Sequence, residues 1–125
     1  MTENELSYKV IGCAIELHKN LGPGLLESAY EAAFAYDLRQ LGFKVETQVA
    51  MPLIYKEIKL DVGYRIDLII DDILLIELKS IEALAPVHYS QTLTYLKLSQ
   101  IKLGLLINFN TSILKDGIHR MVNKL

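Results

Sequence analysis

The chain has 125 residues, a formal net charge of −2 and a hydrophobic share of 51%. That length fits one domain, residues 1–125, and that apolar share supplies a core and excludes a disordered chain. The slightly acidic balance excludes a protein that is basic throughout, so any contact with nucleic acid has to rest on a local patch or on a bound metal.

Leu6, Val10, Ala14, Leu17 and Leu21 recur at steps of three and four, which predicts a first helix over about Asn4 to Asn20. Thr2 or Asn4 can cap its start. Gly22-Pro23-Gly24 ends it. A second helix is predicted from Leu26 to Leu41, with Leu26, Tyr30, Ala33, Phe34, Leu38 and Leu41 on its apolar side and Gly42 as its stop.

The period then changes. Phe43, Val45, Thr47 and Val49 alternate as a strand does. Met51 to Tyr55 reads as a second extended piece with an edge at Pro52, and Lys56-Glu57 as a polar turn. Ile58 to Ile70 reads as one long extended segment bent at Gly63. Asp71-Asp72 turns the chain, and Ile73 to Lys79 returns. Pro86 suits the first turn of a third helix running to about Leu98, with Tyr89, Leu93 and Leu96 inward. Lys102 to Phe109 is an apolar strand, and Asp116-Gly117 reads as a hairpin turn between Ile113–Lys115 and Ile118–Val122. The order is two helices, a β-meander, a helix, then strands: a mixed α/β domain.

The opening Met-Thr-Glu-Asn-Glu lacks the order of a signal peptide, and no apolar run is long enough to span a bilayer. A soluble, cytoplasmic protein that makes no membrane contact is expected. Cys13 is the one cysteine, so no internal disulfide forms, and it reads as a small hydrophobe. His18, His88 and His119 lack metal-ligand spacing and read as surface or capping residues.

The informative stretch is Tyr64 to Lys79, where Asp67, Glu77 and Lys79 interrupt apolar strands. Burying an unpaired ion costs several kcal/mol, so charge in such a strand asks for a reason. Glu77 and Lys79 are two apart and share one strand face, with Ile76 and Leu78 on the core face. A two-residue loop at Asp71-Asp72 would set Asp67 opposite Ile76. An odd-numbered loop or a bulge sets it opposite Glu77 and joins the carboxylates. Joined, Asp67 and Glu77 suit a hard cation such as Mg²⁺, with the Leu78 carbonyl as a further ligand and Lys79 beside an activated water. The alternative is a solvated Glu77–Lys79 pair with Asp67 elsewhere.

Asp67 with Glu77-Leu78-Lys79 resembles the motif of the PD-(D/E)XK nuclease superfamily. Gly24-Leu-Leu-Glu27-Ser-Ala-Tyr30 resembles the signature of the GxxExxY protein family, a small-domain branch of that superfamily. Gln91-Thr-Leu-Thr-Tyr95 is similar to the QxxxY motif of the RecB-like branch. The motifs stand in the family's order, although Ile66 replaces the usual Pro before the aspartate. The resemblance implies a restriction-endonuclease-like core, with a central mixed β-sheet flanked by helices. It implies a Mg²⁺- or Mn²⁺-dependent nuclease acting on nucleic acid, DNA in the first instance.

By the same resemblance, Asp67 and Glu77 bind the metal and Glu27 completes its shell directly or through water. Lys79 is the catalytic lysine, and Gln91 and Tyr95, four apart on one helix face, orient the lysine, the glutamate or a phosphate. Each also has a plainer reading: Glu27 as a first-turn helix acid, Gln91 as a surface amide, Tyr95 and Tyr30 as packing, Gly24 as a structural turn. A second function stays open, a catalytically silent nucleic-acid-binding or protein-interaction module on the same fold. So does a domain that acts as a homodimer or with a protein partner.

Overall fold

The computed structural model describes all residues, Met1–Leu125. Helix α1 spans Glu3–Leu21 and α2 spans Glu27–Gln40. Strands β1 (Val45–Ala50), β2 (Leu53–Tyr55), β3 (Ile58–Leu60), β4 (Arg65–Ile70) and β5 (Leu74–Lys79) follow. Helix α3 (Pro86–Ser99), β6 (Leu103–Asn108) and β7 (Ile118–Val122) complete the chain. Five strands form one sheet in the order β1-β4-β5-β6-β7, and β2 and β3 form a separate two-stranded ribbon. Only β5 and β6 are parallel; β1–β4, β4–β5 and β6–β7 are antiparallel. Helix α3 supplies the crossover that a parallel pair requires.

Helices α1 and α2 cover one sheet face. Leu6, Val10, Ala14, Phe34 and Leu38 pack there on Leu68, Ile70, Leu74, Ile76 and Leu78. Helix α3 covers the other face, where Tyr95 and Leu96 pack on Ile66, Ile69 and Leu75. Strand β5 is therefore buried on both sides, as is common for the central strand of a two-layered cover. The predicted α1 and α2 form as expected, with Thr2 capping α1: its hydroxyl accepts from Glu5 N at 3.2 Å and Glu5 Oε1 accepts from Thr2 N at 3.1 Å. Leu21, Leu26 and Leu41 lie at the helix ends and are exposed, outside the apolar faces assigned to them.

Three expectations need correction. The segment Ile58–Ile70 is two strands, because Gly63 takes φ +81° and turns β3 away from β4. Asp116-Gly117 closes a 3-10 turn, Leu114–Gly117, and β7 pairs with β6 instead of with Ile113–Lys115. Leu114 is buried in the core, which draws that segment inward. His18 is buried, with its Nε2 3.1 Å from the Phe109 carbonyl oxygen. His88 does cap: its Nδ1 accepts from Ala85 N at 2.8 Å at the start of α3.

The 3-10 turn approaches β6 so closely that a Cβ on Gly117 would lie 2.2 Å from the Asn108 carbonyl oxygen. Gly117→Ala therefore forces the backbone apart and is expected to cost about 1–3 kcal/mol, read as a lower denaturant midpoint with an unchanged slope.

Candidate active site

The β4–β5 hairpin places the charged residues. Leu68 pairs with Ile76, Ile69 with Leu75 and Ile70 with Leu74, so Asp71, Asp72 and Ile73 form a three-residue loop. Asp71 and Asp72 both adopt left-handed φ, 50° and 63°, a region their short polar side chains tolerate. This is the odd register, and it sets Asp67 across from Glu77. The ladder stops at Leu68 and Ile76, and side chains take over its role. Asp67 N donates to Glu77 Oε1 at 3.0 Å, and Leu78 N donates to Asp67 Oδ2 at 2.8 Å. Each carboxylate thus satisfies a backbone donor of the opposite strand, which the split would otherwise leave unpaired.

The neighbouring strand is distorted at the same level. Gln48 takes φ +50°, and β1 pairs with β4 on either side of it, Thr47 with Leu68 and Val49 with Ile66. Val45, Leu68 and Ile70 face α1 and α2, whereas Val49 and Ile66 face α3. The two strands therefore swap faces together at Gln48 and Asp67. A non-glycine residue held at positive φ carries a strain of order 1–3 kcal/mol. Gln48 Nε2 here bridges Glu31 Oε1, at 2.5 Å, and Asp67 Oδ1, at 3.1 Å.

The expected site residues lie on both sides of this split. Glu27, Glu31, Gln48, Asp67 and Leu78 line a depression on the α2 side. Glu27 is the first residue of α2, and its Oε1 accepts from Ser80 N at 3.3 Å, which ties it to the end of β5. Lys79, Gln91 and Tyr95 line a second depression on the α3 side, together with Tyr64. Gln91 Nε2 donates to Tyr95 Oη at 3.4 Å. Glu77 lines neither depression and is only 4% exposed. Its strand face is covered by α3, so both faces of β5 are core faces and the alternative of a solvated Glu77–Lys79 pair does not hold for Glu77.

Electrostatics follow from that burial. Desolvation first, and the adjacent Asp67 charge second, push the Glu77 carboxyl up to about 8. Tyr95 is raised by burial and then by the Glu77 charge. Glu31 is raised by burial and by Asp67, against the Gln48 hydrogen bond. Glu31 was not singled out in the sequence, yet it stands four residues after Glu27 and so shares its helix face; that spacing was the available signal. Tyr30, by contrast, serves the fold. It is fully buried and stacks on Phe109 at 4.5 Å. Its hydroxyl donates to Gly22 O and accepts from Leu25 N at 3.2 Å. Gly24 has φ +96° in the same loop. The glycine and the tyrosine therefore fix the entry of α2, and with it the position of Glu27.

The side-chain donors here are all oxygen, the neighbouring carboxylates of Asp67 and Glu77. No three Asp, Glu, His or Cys side chains converge closely enough to form a complete shell. Two carboxylates with water in the remaining positions fit a Mg²⁺-like cation, which keeps several waters and needs few protein ligands.

A family model described as the PD-(D/E)XK nuclease superfamily matches residues 4–121, nearly the whole chain. No curated protein and no solved structure matches. No helix is long and apolar enough to cross a membrane.

Glu77 keeps a proton in the folded protein that the unfolded chain releases above about 4.5. In the absence of metal, the contribution of Glu77 to stability is therefore full below that pH and declines as pH rises toward about 8. Glu77→Gln keeps the acceptor and removes the charge. Its unfolding temperature should exceed that of wild type at the alkaline end and change less across the window; parallel pH profiles for the two proteins would contradict the assignment.

Proposed function

The chain belongs to the PD-(D/E)XK nuclease superfamily, and from that premise we propose that it is a metal-dependent nuclease of the GxxExxY branch that hydrolyses phosphodiester bonds in nucleic acid, DNA in the first instance. The observation that carries this reading is the split β4–β5 ladder, in which the Asp67 and Glu77 carboxylates each accept from a backbone amide of the opposite strand. Asp67, Glu77 and the Leu78 carbonyl would hold Mg²⁺ or Mn²⁺, with Glu27 reaching the shell through water. When bound, the cation lowers the pKa of a coordinated water and offsets charge on the phosphate.

The chain's own residues supply the rest. Lys79 lines the depression beside Glu77, and its ammonium orients the attacking water and stabilises charge that develops on the phosphate oxygens. Gln91 and Tyr95 form a hydrogen-bonded pair on one helix face. Their amide and hydroxyl hold Lys79 and the substrate phosphate in register. Glu31 and Gln48 fix the Asp67 carboxylate from the α2 side. The raised Glu77 carboxyl supports the reading too, because a cation that binds there relieves the repulsion between two buried acids.

The test is cleavage of single-stranded, duplex and branched DNA and of RNA in Mg²⁺ and Mn²⁺. Asp67→Ala and Lys79→Ala are each expected to lower the rate by about 10²-fold or more, whereas Tyr30→Phe costs about 1 kcal/mol of stability and leaves the rate near wild type. Cleavage that survives both active-site substitutions would exclude this site. An absence of both cleavage and calorimetric metal binding would favour the silent binding module.

A further inference from the structure

The net charge of −2 conceals an uneven distribution. Residues 1–82 carry fourteen acids and eight Lys or Arg, whereas residues 83–125 carry five Lys or Arg and a single acid, Asp116. The fold converts this into a spatial division, because residues 83–125 form α3, β6 and β7, which are one helical layer and one edge of the sheet. Helix α3 contains no acid at all.

Beyond the C-terminal end of α3, Lys97, Gln100, Lys102, Asn123 and Lys124 line a depression with no carboxylate in its walls. None of these lysines is in an ion pair; the protein's ion pairs are those of Lys44. Nor are they needed to close the helix end, since Asn123 Nδ2 donates to the carbonyls of Leu96 and Ile101 at 3.4 Å each. Three ammonium groups in one depression repel each other, and an anion relieves that repulsion.

The opposite end of the same helix lines the depression that holds Lys79, Ser90, Gln91 and Thr94. Gln91 and Gln100 are nine residues apart, about 14 Å along the axis at 1.5 Å per residue and about half a turn around it at 3.6 residues per turn. Thr94 and Lys97 are the exposed positions between them, a neutral donor and a cation.

We infer that this acid-free path along and around α3 is the track for a nucleic-acid backbone, with the scissile phosphate at the Lys79 end and Lys97, Lys102 and Lys124 holding phosphates further along the strand. The inference rests on the nuclease reading and extends it to where the substrate lies. The same division of charge steers the strand toward α3, since α1 and α2 carry six acids against three Lys or Arg.

The experiment is salt-dependent binding of labelled single-stranded and duplex oligonucleotides to the wild-type protein in EDTA, by fluorescence anisotropy. The triple variant Lys97→Gln, Lys102→Gln, Lys124→Gln should reduce the slope of log affinity against log salt by about 2 to 3 and weaken binding by about tenfold or more at low salt. The variant Lys9→Gln, Lys19→Gln on exposed positions of α1 should leave both unchanged. An unchanged slope in the triple variant, with cleavage intact, overturns the track and leaves the nuclease reading standing. Equal losses in the two variants, or no binding by the wild-type protein, also overturn it. A reduced slope in a protein that cleaves nothing supports the track and sinks the nuclease reading.

Discussion

The structure depends on an exchange between two carboxylates and two backbone amides. Where the β4–β5 ladder ends, Asp67 takes the Leu78 N–H and Glu77 takes the Asp67 N–H. An apolar sheet that opened at this point without them would strand two buried donors, at roughly 1–3 kcal/mol each. The carboxylates therefore hold the split open. The cost appears in Glu77, whose burial beside Asp67 makes the charged form unfavourable. The groups that keep the strands apart are the ones a divalent cation would use, so fold and chemistry draw on the same side chains.

Other features serve that split. Gln48, at positive φ, moves β1 across to the other face level with Asp67 and ties it to Glu31. Tyr30 and Gly24 shape the turn that delivers Glu27 to the end of β5. On the far side, α3 brings Gln91 and Tyr95 next to Lys79. The motif residues thus divide into those that line the two depressions and those that fix the elements around them, and Tyr30 belongs to the second group.

Much of this was legible in the sequence, and the failures have physical causes. Helical spacing found α1 and α2 because each buries a periodic face, whereas α3 was marked by Pro86 and buries Thr92, Tyr95 and Leu96 where Tyr89, Leu93 and Leu96 were expected. The odd register at Asp71–Ile73 could be framed from strand parity alone. The long segment Ile58–Ile70 looked continuous because one glycine can break a strand without changing its apolar pattern. The Asp116-Gly117 dipeptide suggested a hairpin, but turn chemistry does not report that Leu114 is buried and that β7 pairs with β6. Glu31 was invisible because a helix acid looks solvated until its partner Gln48, seventeen residues on, is known to face it. The basic face was hidden by averaging: a net charge summed over the chain says nothing about the sides on which its signs lie.

The proposed function stands or falls with the Asp67–Glu77 pair at the split as a divalent-cation site. It is tested most directly by carbon-13 NMR titration of the Glu77 carboxyl, with and without Mg²⁺. A cation site there gives a midpoint near 8 without metal and a midpoint shifted well to acid when Mg²⁺ is present. A midpoint in the ordinary glutamate range that Mg²⁺ does not move would contradict it.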